Sequence, residues 1–291
     1  MGMRDPIKYL FLWPAVLIVL LVTLFPLVYS LALSFQSVRL APPLPPRFVG
    51  LDNYAKLLQS ARFWGVIWNT TVMVFCAVTF QYLIGFGIAL ALHAKVAGEQ
   101  LFRATFLLPM LLAPIAVALI GRMMFHSSMG PINDLFTLLG HPNLPFLTDP
   151  AWATAAIVTI ETWQWTPFVI LLMLAGLQSL PEDIYEAARL ENASAWQRFW
   201  GITFPLLLPL TATVIFIRII ESYKLMDTVW VLTGGGPGIA TETLTLFAYQ
   251  EGLKKFNLGY TSAISFLFLI FITLFGTLYL ALLKPHIEKR A

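Results

Sequence analysis

The sequence predicts an all-α, polytopic membrane protein with six transmembrane helices, on three observations. Hydrophobic residues make up 58% of the chain and charged residues only 11%, against roughly a quarter charged in an ordinary soluble domain. Mean hydropathy is +0.78. The apolar residues gather into six runs, at about 9–33, 66–92, 102–125, 152–177, 204–232 and 260–283, each long enough to cross about 30 Å of hydrocarbon at about 1.5 Å per helical residue. Between the fourth and fifth runs lies a polar insert at 180–203. This makeup excludes a water-soluble globule. The net charge of +3 is spread among loops, where it sets orientation and does not mark a nucleic-acid face.

Taken in order, the first run is too long for a signal-peptide core and lacks a small-residue cleavage site, so it is expected to stay as a span. Pro14 and Pro26 should kink it. A proline-rich stretch then leads, partly extended, to a short helix. In the second run Gly85 and Gly87 permit close helix approach, and the single cysteine, Cys76, serves as a small hydrophobe. Pro109 and Pro114 should bend the third run. A Gly-, Pro- and Asn-rich loop follows, with a short helix expected near 133–139. The fourth run carries Glu161 and Pro167, and the fifth carries Arg218, Glu221, Lys224 and Asp227. The whole of 1–291 reads as one transmembrane domain.

The insert "LPEDIYEAARLENASAWQRFWGITFPLLLP" predicts helix, turn, helix. Pro181 fits a first helical position, with Glu182 and Asp183 in the first turn, where carboxylates complement the helix dipole. Asn192 tolerates the left-handed conformation that ends helices. Ser194 and Gln197 form an S-x-x-Q capping box that starts a second helix.

This stretch resembles the "EAA" loop of bacterial ABC importer permeases. Glu186, Ala187, Ala188, Phe199, Ile202 and Pro205 fit that pattern, and Asn192 stands where the family usually has Gly. "FVGLDNY", "LLP" and "MDTVWVLTGGGPGIATETL" are similar to the carbohydrate-uptake branch, which includes maltose, trehalose and glycerol-phosphate importers. The resemblance implies a type I ABC importer permease in a bacterial or archaeal cytoplasmic (inner) membrane. It implies that Glu186, Ala187, Ala188 and Asn192 couple the chain to an ATPase. The implied partners are a second homologous permease, two cytoplasmic ATPase subunits that bind ATP and Mg, and an extracytoplasmic binding protein. No cofactor on this chain and no nucleic acid is implied. Counting Lys and Arg near span ends puts the insert and both termini in the cytoplasm, nine basic residues against seven on segments about half as long.

Charges at bilayer depth must pair or face a wet cavity. Arg218, Glu221, Lys224 and Asp227 recur every third residue, so they predict either a self-neutralising stripe packed on another helix or the lining of a polar passage. Glu161, Gln164, Trp165 and Phe168 share one face of the fourth run. Polar groups beside aromatic rings suit sugars, whose hydroxyls take hydrogen bonds while their C–H faces stack. With the resemblance, this makes Glu161, Gln164, Trp165, Phe168, Arg218, Glu221 and Ser222 the candidate substrate contacts, with Trp163 on another face. An ion-coupled carrier or channel using the charged stripe is the alternative. The glycine run at 234–238 lacks the Lys-Ser/Thr of a phosphate loop and reads as a turn. The four histidines lie in separate loops without ligand spacing, so no metal site is expected.

Overall fold

The computed structural model describes residues 6–94 and 99–288. Arg4, Lys95, Lys289 and Arg290, on which part of the orientation count rests, lie outside the described residues. Among the described residues five helices are long and apolar enough to cross a membrane, or six if one sharply bent pair is counted as a span. The chain forms two compact units, the first comprising residues up to Ala61 together with Ala248–Phe271, the second Arg62–Phe247 and the residues after Phe271.

The first unit begins with α1 (Pro6–Ser34), which runs unbroken through Pro14 and Pro26. Its most apolar stretch has no buried residue. The proline-rich connection is a two-stranded antiparallel hairpin, β1 (Gln36–Leu40) with β2 (Pro43–Phe48), so the fold is mostly helical with one strand pair. Helix α2 (Asp52–Gln59) is tied back to the end of α1 by Asn53, whose amide donates to the carbonyls of Ser34 and Gln36 at 2.8 and 3.0 Å. Gly259, in the last helix, lies so close to Gln36 that a Cβ there would stand 2.0 Å from its carbonyl oxygen.

The second unit holds all but the first residue of α3 (Ala61–His93), then α4 (Glu99–Leu111), α5 (Pro114–Met124), α6 (Pro131–Leu138), α7 (Pro150–Gln178), α8 (Glu182–Leu190), α9 (Ala195–Arg198), α10 (Phe204–Ser222), α11 (Asp227–Leu232) and the start of α12 (Leu244–Tyr249), which ends in the first unit. Helix α13 (Leu258–Glu288) begins in the first unit and ends in the second. Helix α7 has no single apolar face and buries residues on nearly every side, Glu161 and Gln164 among them, as a helix enclosed by neighbours does. Its Val169, Ile170, Met173, Leu174 and Leu177 meet Phe86, Ala89 and Leu92 of α3 and Leu207 and Val214 of α10 in one core.

Two expected spans are divided. The third becomes α4 and α5, meeting at 103°. Ala113 is extended (φ −60°, ψ 135°) because the ring of Pro114 clashes with a helical residue before it, while Pro109 stays inside α4. The expected fifth helix at 204–232 is also corrected. It runs from Ala195 to Ser222, through a π-helical turn at Phe199–Thr203, and a separate α11 opens at Asp227. The chain turns at Met226 (φ −132°, ψ −53°). The carbonyl of Leu225, freed by this turn, accepts from the hydroxyls of Thr243 and Thr245 at 2.8 and 2.7 Å, which meets the demand that backbone at membrane depth be satisfied internally.

Close approach of α3 to α7 depends on Gly85. A Cβ there would sit 2.7 Å from Val169 Cβ and 3.2 Å from the Thr166 carbonyl, neither of which can rotate away. Gly87, expected to act likewise, faces open space. Gly85→Ala should therefore cost about 1–3 kcal/mol by overpacking. Gly87→Ala should be neutral or mildly stabilising, since Ala is the better helix former. Melting of the two purified variants side by side checks this, and equal melting points would refute it.

Candidate functional site

Arg218 of α10 is 2% exposed and Glu161 of α7 is 4% exposed. A guanidinium in such a place has to meet its hydrogen-bonding demand inside the protein. It does so across three helices. Nε donates to Gln81 Oε1 of α3 at 2.9 Å, and Nη2 donates to Glu161 Oε1 at 3.2 Å and to Ser222 Oγ at 3.0 Å. The guanidinium carbon lies 4.6 Å from the Trp165 ring centroid, a cation–π distance. Gln81 in turn donates its amide to the Glu161 carbonyl at 3.1 Å. Tyrosine–threonine hydrogen bonds, Thr71–Tyr223 at 3.1 Å and Tyr82–Thr211 at 3.0 Å, flank this cluster along the same α3–α10 seam.

Beside the cluster opens a cavity of about 160 Å³. Its wall includes Glu161, Gln164, Trp165, Arg218, Glu221 and Asp227, with Pro114 from the α4–α5 break. The Gln164 amide donates to the Leu112 carbonyl at 3.4 Å, at that same break. Glu221 and Lys224 pair with each other at 2.7 Å on the exposed rim. The structure thus gathers Glu161, Gln164, Trp165, Arg218 and Glu221 around one cavity and places Ser222 behind it as a brace. Phe168 is corrected: it is partly buried against the apolar core of α3, α7 and α10 and is not among the residues that line this cavity. Of the charged stripe, Glu221 and Lys224 pair as neighbours while Arg218 pairs with Glu161 on another helix, and all four residues, Arg218, Glu221, Lys224 and Asp227, line this cavity, the last two from beyond the end of α10.

Two contributors were missed. Gln81 was signalled by being the one glutamine in the apolar run 66–92. The other is Glu242, fully buried after the glycine-rich turn, which takes a two-pronged contact from Arg62 at 2.9 and 2.6 Å. Asn69 donates to the Ile239 carbonyl at 2.9 Å, so the turn at 233–242 is pinned to the first turns of α3. A larger cavity of about 670 Å³ lies between α3, α4 and α7 and includes Trp163. Its wall is apolar apart from threonines, and Thr159 and Thr166 bond the carbonyls of their own helix at 2.8 and 2.7 Å.

At the insert, α8 starts at Glu182 with Pro181 as its cap residue, one place later than expected. Its end is a Schellman turn. Asn192 adopts φ 56°, its N–H bonds the Arg189 carbonyl, and the Ala193 N–H bonds the Ala188 carbonyl, each at 3.0 Å. The Ser194–Gln197 capping box is present in both directions. Glu186 and Ala187 are exposed, whereas Ala188 is buried against the rest of the chain. Tyr185 bonds Thr203 at 2.9 Å, fastening α8 to the π-helical turn.

Residues 83–290 match the family of binding-protein-dependent transport system inner membrane components. The chain belongs to that family. The permease is a multi-pass inner-membrane protein, and ATP hydrolysis resides on a separate subunit. It is 35% identical over 274 residues to the trehalose/maltose transport system permease protein MalF of Thermococcus litoralis, covering 94% of this chain and 92% of that one. It is 33% identical over 256 residues to the sulfoquinovosyl glycerol transport system permease protein SmoG of Agrobacterium fabrum, covering 88% and 83%. Its fold is similar to that of a chain in a bacterial alginate ABC transporter solved in complex with an alginate pentasaccharide-bound periplasmic protein, with a TM-score of 0.85 and 21% identity, covering 98% of this chain and 96% of that one.

Proposed function

We propose that this permease carries a sugar or related carbohydrate across the membrane, handed to it by an extracytoplasmic binding protein. It works as one transmembrane domain beside a second, homologous permease. Two cytoplasmic ATPases bind ATP and Mg and drive the cycle through the exposed edge of α8, with Glu186 and Ala187 touching the ATPase and Asn192 shaping the turn behind them. Both chain termini and α8 then face the cytoplasm. The observation that carries the substrate side is the polar cavity at the α4–α5 break, where the Trp165 ring stands among Glu161, Gln164, Arg218 and Glu221. An aromatic face beside hydrogen-bonding groups is the chemistry a pyranose needs. Full-length relatives named for trehalose/maltose and for sulfoquinovosyl glycerol support the same class.

The test is reconstitution of the permease with its ATPases and binding protein in vesicles. Sugar uptake should require ATP and the binding protein together. Uptake by this chain alone under an ion gradient would instead favour an ion-coupled carrier.

A further inference from the structure

Resting on the transport reading above, in which the turn after α1 lies outside the membrane, we propose that the hairpin β1–β2 is the surface on which the extracytoplasmic binding protein lands, and that it reads an acidic patch on that protein. From Phe35 to Leu51 the chain carries two arginines and no carboxylate. In β1 the exposed Ser37 and Arg39 alternate with the buried Val38, and Arg47 of β2 stands opposite Ser37. Both guanidinium groups therefore rise from one solvent face. In the same unit Lys56 pairs with Asp52 and Lys255 with Glu251, whereas Arg39 and Arg47 have no ion-pair partner among the described residues. Leu40 is exposed as well, and Phe48, next to Arg47, is 75% exposed. Arginine with an aromatic ring is the makeup of protein interfaces, and a planar guanidinium takes a carboxylate in two-pronged fashion.

The face is also held still. The Val49 N–H bonds the Phe35 carbonyl at 2.9 Å and the Leu40 N–H bonds the Phe256 carbonyl at 3.0 Å, so β1 is tied on both edges. Asn53 and Tyr54 of α2 fasten its root, the tyrosine hydroxyl donating to Ser34 Oγ at 2.7 Å. A surface set on such a frame loses little freedom when it is occupied. Lipid is the poorer occupant, since basic residues at the outer end of a span oppose the orientation rule and the surface potential that draws them belongs to the cytoplasmic leaflet. A carrier that arrives and leaves in every cycle is suited by exposed charge, which speeds its arrival more than it deepens its hold.

The assembly of permeases and ATPases, held in nanodiscs on a sensor surface, is exposed to its own sugar-loaded binding protein at low and at high salt. Association should slow steeply as salt rises. Arg39→Glu/Arg47→Glu should slow it about tenfold at low salt, flatten the salt dependence and change dissociation by less than about threefold. Arg39→Gln/Arg47→Gln should fall between. Both pairs alter exposed side chains, so melting, and ATP hydrolysis without the binding protein, should match the unaltered assembly. Association of the Glu pair at the unaltered rate overturns the proposal and leaves the hand-over reading intact. Loss of the second permease when the Glu pair is purified assigns the face to that subunit and overturns it too, as does melting lowered only in anionic lipid, which assigns it to the bilayer. An unaltered assembly that never binds the protein removes both.

Discussion

Arg218→Met is expected to lower the stability of the purified permease by about 3–5 kcal/mol, the usual consequence of removing one partner of a buried ion pair. Methionine roughly keeps the volume, but Glu161 is left 4% exposed with its counter-charge gone, and Gln81 and Ser222 each lose a donor. The double variant Arg218→Met/Glu161→Gln should recover most of that loss, since no uncompensated charge then remains. Denaturation in detergent, followed for both singles and the double, measures the coupling. Additive losses would show that the two side chains are not acting as a pair. Neither variant should restore transport, because the cavity wall loses its guanidinium either way.

Glu186→Lys is expected to cut ATP-dependent uptake by at least a hundredfold and to release the ATPase subunits on purification, with melting and membrane insertion unchanged. Glu186 is exposed and has no ion-pair partner among the described residues, so reversing its charge disturbs nothing within this chain. A charge-assisted hydrogen bond to a partner would be replaced by repulsion; a hundredfold corresponds to about 2.7 kcal/mol. Glu186→Gln, which keeps the shape and loses the charge, should be milder. Uptake at the normal rate in Glu186→Lys would end the coupling role given to α8.

Much of this architecture was legible because its causes are local. The capping box at Ser194, the left-handed Asn192 and the acidic first turn at Glu182 are short-range chemistry, and they formed where the residue types asked for them. The break between α4 and α5 was half legible. Two prolines announced a bend, yet only the exclusion of Ala113 from helical geometry turns a bend into a corner of 103°. The end of α10 was hidden, because no Gly or Pro interrupts the chain between Pro209 and Gly234 and nothing in that stretch reveals that Thr243 and Thr245 wait to satisfy the Leu225 carbonyl. Charge spacing in the same place gave the Glu221–Lys224 pair but not the partner of Arg218. Neighbours along the chain were the obvious partners for Arg218, but Glu161 and Gln81 came from 57 and 137 residues away. Phe168 obeyed its helical spacing and still left the cavity, because one turn further along α7 the neighbours are apolar side chains of α3 and α10.

The π-helical turn at Phe199–Thr203 sets the phase of everything after it. An extra residue in one turn offsets the angular position of each later side chain by about 100° relative to an unbroken α-helix. Gly201, within that turn, has open space where a side chain would be, while Phe199 meets Phe86 on α3 in a tilted ring contact. The turn therefore acts as a gear-tooth between the insert and the guanidinium, which lies some 28 Å from Phe199 along the same rod at about 1.5 Å per residue. Any tightening of it to regular winding would swing Arg218 off its seat rather than merely shorten the helix.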